Sequence, residues 1–153
     1  MVDGPERGPE RTLQEARRQP PAWVAAEASF FLTVCARPRG KNQLCRPVVS
    51  GRLQAIFDWR EAQGLWVVHA GVLMPDHLHI LVTVPDARQF NPLIAAWKRY
   101  TACHLGIRWH RTFFDRRLRR HESLTAKVEY IRQNPVRAGL VSRPEDWPYL
   151  WVR

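Results

Sequence analysis

At 153 residues, with 45% hydrophobic and 25% charged side chains, the chain has the size and composition of one globular domain and is too short for a (β/α)₈ barrel. A formal net charge of +10, mostly arginine, makes a polyanion the natural partner. No run approaches the ~18 apolar residues of a membrane span, the N-terminus lacks a secretory apolar core, and Cys35, Cys45 and Cys103 form no C-x-x-C pair; a reduced, cytoplasmic protein with no membrane role is expected.

Residues 1–22 mix Pro, Gly, Glu and Arg with almost no large apolar side chains and read as a disordered N-terminal arm, leaving 23–153 as a single domain. A first strand is predicted over 29–35 (SFFLTVC), followed by a basic loop, 36–46, with Arg37, Arg39, Lys41 and Arg46. Over 47–63, Val49, Leu53, Ile56 and Phe57 recur at helical spacing, and Gly64 stands as the stop. An apolar strand over 65–74 turns at Met74-Pro75-Asp76 into a second one, 77–84. Asn91 and Pro92 are the N-cap and first residue of a helix ending at Gly106, and 109–118 is the fourth strand. The order βαββαβ predicts an α+β, ferredoxin-like antiparallel sheet with two helices on one face and the other face free.

Within the second arm of the hairpin, alternation puts His77 and His79 on one side and Leu78, Ile80, Val82 and Val84 on the other. The imidazole-bearing Cβ atoms lie roughly 6 to 7 Å apart along such a strand, close enough to share one divalent cation. A half-buried strand face accounts for the spacing equally well. The segment 109–120 interleaves Arg111, Arg116, Arg117, Arg119 and Arg120 with aromatics, a composition suited to phosphates and stacked bases of single strands, or to a solvated edge strand.

Ser123 caps a predicted third helix that ends near Asn134, ahead of Pro135. Leu124, Val128 and Ile131 form its apolar stripe, while Lys127, Tyr130 and Asn134 share another face. Tyr130 is therefore not expected in the core. A cation held by two neutral imidazoles and the Asn134 oxygen suits attack by the Tyr130 phenolate on a phosphodiester. Tyr100 and His104 also stand four apart, but they continue the stripe of Leu93 and Trp97 and read as packing residues. His121-Glu122-Ser123 has an H-x-S form used by two-histidine phosphodiesterases, which need two such motifs.

MPDHLHILV, WKRYTACHLG, WHRTFFDRRLR, YIRQNPVRAGLV and a closing DWPY together resemble the single-tyrosine HUH (His-hydrophobic-His) transposases, and most of all the REP-associated tyrosine transposases. The resemblance covers 29–149. It implies a ferredoxin-like nuclease and strand transferase acting on single-stranded DNA with imperfect palindromes that fold into hairpins, with Mg²⁺ or Mn²⁺ as cofactor. By motif position, Tyr130 matches the nucleophile, and His77, His79 and Asn134 the metal ligands. Arg37, Arg39, Lys98, Arg99, Arg111, Arg116, Arg117, Arg119 and Lys127 are then the candidate DNA contacts. Monomer and homodimer both remain open, and the competing functions are a non-catalytic hairpin DNA or RNA binding module on the same fold and a small-nucleotide phosphodiesterase.

Overall fold

The computed structural model describes residues 27–119 and 121–153; the expected arm over 1–22 and Arg120 lie outside them. Its elements are β1 (Ala28–Cys35), α1 (Pro47–Ala62), β2 (Val67–Met74), β3 (His77–Val84), α2 (Phe90–Leu105), β4 (Phe114–Arg117), α3 (Leu124–Arg137) and β5 (Leu150–Val152). Every pairing is antiparallel and the order across the sheet is β4-β1-β3-β2-β5. Without β5 this is the strand order of the expected βαββαβ unit. No helix of the described residues is long and apolar enough to cross a membrane.

Strand alternation sorts the side chains between two cores. Phe30, Leu32 and Val34 of β1 join Leu78, Ile80 and Val82 of β3 beneath α1 and α2, where Leu53, Phe57, Ile94 and Trp97 are fully buried against them. Phe57 stacks on Trp97 with ring centroids 5.2 Å apart, fixing the two helices to each other. Each such side chain contributes roughly 1.5–3 kcal/mol by leaving water.

Contrary to the expectation of a free second face, α3 lies across it. Ile131 is buried there against Ala70, Val72, Met74 and Leu81. The cause is in β2, which is apolar on both sides. A bulge between Val68 and Ala70 shifts its alternation by one residue, so Val68 and Leu73 join the first core while Ala70, Val72 and Met74 join the second. Left open, that face would expose a contiguous apolar patch.

Several boundaries move for local reasons. α3 runs through Pro135 to Arg137, since a proline in the last turn forfeits only one backbone bond and this one is buried. The stop is instead Gly139, whose φ of 71° lets its N–H reach the Val136 carbonyl at 2.9 Å. α2 starts at Phe90, before the expected cap Asn91, because Asp86 caps the preceding turn through the Arg88 N–H. β4 is four residues long instead of spanning 109–118. Trp109 is buried, bridging to Ala36 and donating its indole N–H to Thr101 Oγ1 at 2.8 Å. Tyr100 and His104 are not core residues: their rings stack 4.0 Å apart at the surface.

A fifth strand, not expected from the sequence, pairs with β2. β5 is held onto the β2 edge by a close approach: a Cβ on Gly71 would lie 2.3 Å from the Trp151 ring. Trp147 adds a bond from its indole N–H to the Leu73 carbonyl at 2.9 Å, and Arg153 pairs with Asp58 and Glu61 of α1. Gly71→Ala is therefore expected to push Trp151 off the sheet and destabilise the fold by about 1–3 kcal/mol. Thermal unfolding checks this, with a Tm several degrees lower predicted; an unchanged Tm contradicts the contact.

Candidate active site

His77 and His79 enter the site from β3, where the register pairs them with Cys35 and Thr33 of β1 and with Met74 and Val72 of β2. They therefore stand on the face that α3 covers, opposite α1 and α2. Their rings are 5.0 Å apart, edge to face. His79 is buried, and Thr33 Oγ1 lies 2.8 Å from its Nδ1; His77 is half-buried, and Asp76 Oδ1 lies 2.8 Å from its Nδ1. An ionised carboxylate only accepts, so His77 donates from Nδ1 and keeps its lone pair on Nε2. With its proton on Nδ1, donated to Thr33, His79 presents Nε2 in the same way.

Asp76, expected only as a turn residue, is also a member of the site. Burial opposes its charge, yet the Gly40 N–H at 2.6 Å, the His77 bond and the neighbouring Arg39 hold its carboxyl below the usual range. The backbone bonds of the turn tie it to the basic loop: the Asp76 carbonyl accepts from Ala36 at 2.7 Å, and the Pro75 carbonyl from Gln43 at 2.8 Å. The strand pair, the turn and the loop thus set the first imidazole together.

Ser123 caps α3 as expected, its Oγ accepting from Ala126 N at 3.2 Å. Next to the buried Ile131 but rotated off the apolar stripe, Tyr130 is 44% exposed and meets Phe31 edge on, with ring centroids 5.5 Å apart. Phe31 in turn stacks on His79 at 5.4 Å. One aromatic side chain therefore spaces the tyrosine from the buried imidazole. Asn134 donates from Nδ2 to the Tyr130 carbonyl at 3.0 Å, which leaves its Oδ1 as the free acceptor.

Arg137 is a further member of the site, outside the helix expected from the sequence. Its guanidinium lies over the Tyr130 ring, Cζ to centroid 4.2 Å, and its Nη2 donates to the Tyr130 carbonyl at 2.7 Å. Seven residues separate the two, which is two helical turns. That relation is hidden once the helix is ended at Asn134. Phe114, one of the aromatics interleaved with arginine over 109–120, pairs with Thr33 and so stands on the same sheet face, 64% exposed.

The candidate DNA contacts divide into groups. Arg37, Lys98, Arg99 and Arg111 border one open groove together with Arg108 and His110. Lys98 also holds that groove's wall, donating to the His110 and Arg111 carbonyls at 2.8 and 3.0 Å. Arg39 is engaged with Asp76 at 3.1 Å, and Arg116 pairs with Glu122. Arg117 lies on β4 one residue beyond Arg116, Arg119 follows the strand in an exposed position, and half-buried Lys127 is in the first turn of α3; the groove is not lined by any of them.

Among the described residues no three His, Cys, Asp or Glu side chains gather as a metal group, so a cation at the pair would have two imidazole ligands and would need an amide oxygen or water to complete its shell. The donor set fits a divalent cation because both Nδ1 atoms are already bonded and both Nε2 atoms are unbonded. Burial first, then the His77 and Arg137 charges, lower the His79 pKa from 6.5 to about 4. The ring is neutral, and competent as a ligand, across the physiological range. Its contribution to folding stability is present above pH 6.5 and is lost as the pH falls through about 4. An NMR titration of the metal-free protein should give His79 a midpoint near 4; a midpoint at or above 6.5 contradicts the buried placement.

No protein-family model matches the chain. A REP-associated tyrosine transposase of Escherichia coli (strain K12) is 31% identical over 126 residues, covering 79% of this chain and 74% of that protein. A relative from Haemophilus influenzae carrying the same family name is 29% identical over 149 residues, covering 78% and 77%. The solved structure of a REP-associated tyrosine transposase bound to a REP hairpin superposes with a TM-score of 0.69 at 25% identity, over 80% of this chain and 75% of that one. Sequence and fold agree, and the chain belongs to the REP-associated tyrosine transposases, enzymes that act on DNA.

Proposed function

We propose that the chain cleaves and rejoins single-stranded DNA next to hairpins, with Tyr130 as nucleophile and a divalent cation at His77 and His79. The observation that carries this reading is the placement of Tyr130 and the two imidazoles on one sheet face, separated by the single ring of Phe31. Mg²⁺ or Mn²⁺, held by the two Nε2 atoms and the Asn134 oxygen, would polarise the scissile phosphate. The chain's own residues do the rest. The Tyr130 oxygen attacks phosphorus and gives up its proton; the bond from phosphorus to the 3′ oxygen breaks, and that oxygen leaves as a 3′-hydroxyl. The tyrosyl phosphodiester keeps the energy of the broken bond for rejoining. Arg137, over the ring, positions the phenol and fixes the helix turn from which it projects.

A solved relative is bound to a REP hairpin, and the basic groove of Arg37, Arg99, Arg108 and Arg111 suits the phosphates of such a ligand. Phe114, exposed beside Thr33 on the tyrosine face, suits a flanking unpaired base.

Three outcomes test the reading. Wild type mixed with labelled hairpin DNA and Mn²⁺ should give a covalent species on a denaturing gel, absent in EDTA and in Tyr130→Phe; hairpin binding without any adduct supports the non-catalytic module instead, and cleavage surviving Tyr130→Phe supports a hydrolytic nuclease. Asp76→Asn should weaken Mn²⁺ binding by about 10- to 100-fold in calorimetry, because the first imidazole loses its orienting carboxylate; unchanged affinity removes Asp76 from the site. Arg99→Ala with Arg111→Ala should reduce the slope of log K against log salt by about one per lost phosphate contact, and an unchanged slope places the hairpin elsewhere.

A further inference from the structure

On the outer side of the helical layer, turned away from Tyr130, α1 and α2 enclose a groove of about 460 Å³. Arg52, Ile56 and Trp59, at helical spacing on α1, form one wall, and Tyr100 and His104 of α2 form the other. Two features have no role in the fold described above. Trp59 is 61% exposed and Tyr100 44%, so large ring faces are left in water. Arg60 lines the same groove and is only 9% exposed; among the described residues its side chain makes no hydrogen bond or ion pair, its guanidinium lying 5.7 Å from the Trp66 ring centroid with Tyr100 as an electrostatic neighbour. The acids nearest to it in sequence, Asp58 and Glu61, are taken by Arg153.

A guanidinium that reaches the groove with no ion pair of its own is placed to take an anion there. A bare anion would leave the rings unused, and a purely apolar ligand would leave Arg60 uncompensated. We propose that this groove is a nucleotide-binding site, with a base stacked on Trp59 and Tyr100 and its phosphate held by Arg60 and Arg52. Aromatic faces beside guanidinium groups are the chemistry by which unpaired nucleotides are held without regard to sequence. The nucleotide is either free or part of a single strand, and the site is independent of the chemistry at Tyr130.

The test uses the full chain labelled with 5-fluorotryptophan, in which Trp59→Phe identifies the Trp59 ¹⁹F resonance. The probes are dAMP, a five-residue oligothymidylate that forms no hairpin, and base-free deoxyribose 5-phosphate. The Trp59 line should shift saturably with at least one nucleotide probe and not with the sugar phosphate. Tighter binding of the oligomer by tenfold or more assigns the site to a DNA strand; equal or tighter binding of dAMP assigns it to a free nucleotide. Arg60→Gln and, separately, the exposed Arg52→Gln should each weaken binding tenfold or more while the remaining tryptophan lines stay in place, which shows that the variant is folded. A Trp59 line unmoved by both nucleotides at millimolar concentration overturns the proposal, as does binding that survives both arginine substitutions.

Discussion

The bond that each histidine makes with its inner nitrogen is the constraint on which the site depends. A strand can bring two imidazoles to one face, but a ring on a single bond to the backbone still turns. Asp76 stops His77 from turning and Thr33 stops His79, each at 2.8 Å, and both bonds are delivered by the fold: one by the hairpin turn, the other by the β1–β3 register. A slip of one residue in that register would send His79 to the opposite face and replace it with an aliphatic neighbour.

The rest of the architecture serves to hold that register while keeping the tyrosine accessible. Two cores grip the sheet, and the bulge in β2 makes the second one possible by redirecting Ala70, Val72 and Met74 toward α3. Ile131, fully buried, pins the helix; its predecessor Tyr130 is then rotated to the rim, against Phe31. Burial of one residue and exposure of the next is what a helix lying on a sheet imposes. β5 closes the far edge of β2, covering backbone groups that would otherwise invite pairing with another chain.

What was legible in the sequence follows from how local each signal is. The histidine face, the turn before it, the Ser123 cap and the rotation of Tyr130 away from the apolar stripe are set within a few residues, and alternation and helical period are enough to find them. The second role of Asp76 depends on a loop over thirty residues earlier, which donates through Gly40. The seat of α3 depends on a bulge that no composition signal marks. Arg137 lies within the motif YIRQNPVRAGLV, but its place over Tyr130 is hidden when Pro135 ends the expected helix. Tyr100 and His104 fit the apolar period of α2 yet stack at the surface, because Thr101 and Trp97 take the buried positions. The family resemblance reached the fold and the enzyme class that comparison with relatives shows; the ligand sphere and the nucleophile rest on the geometry argued above.

The central claim is that His77 and His79 present two unprotonated Nε2 atoms to one cation. Pulsed EPR of the Mn²⁺-loaded protein measures this directly through the hyperfine couplings of directly bound ¹⁴N. Two imidazole nitrogens are predicted in wild type and one in either His77→Gln or His79→Gln. A Mn²⁺ ion bound tightly with no nitrogen coupling would contradict the account and move the metal, and with it the chemistry, away from the histidine pair.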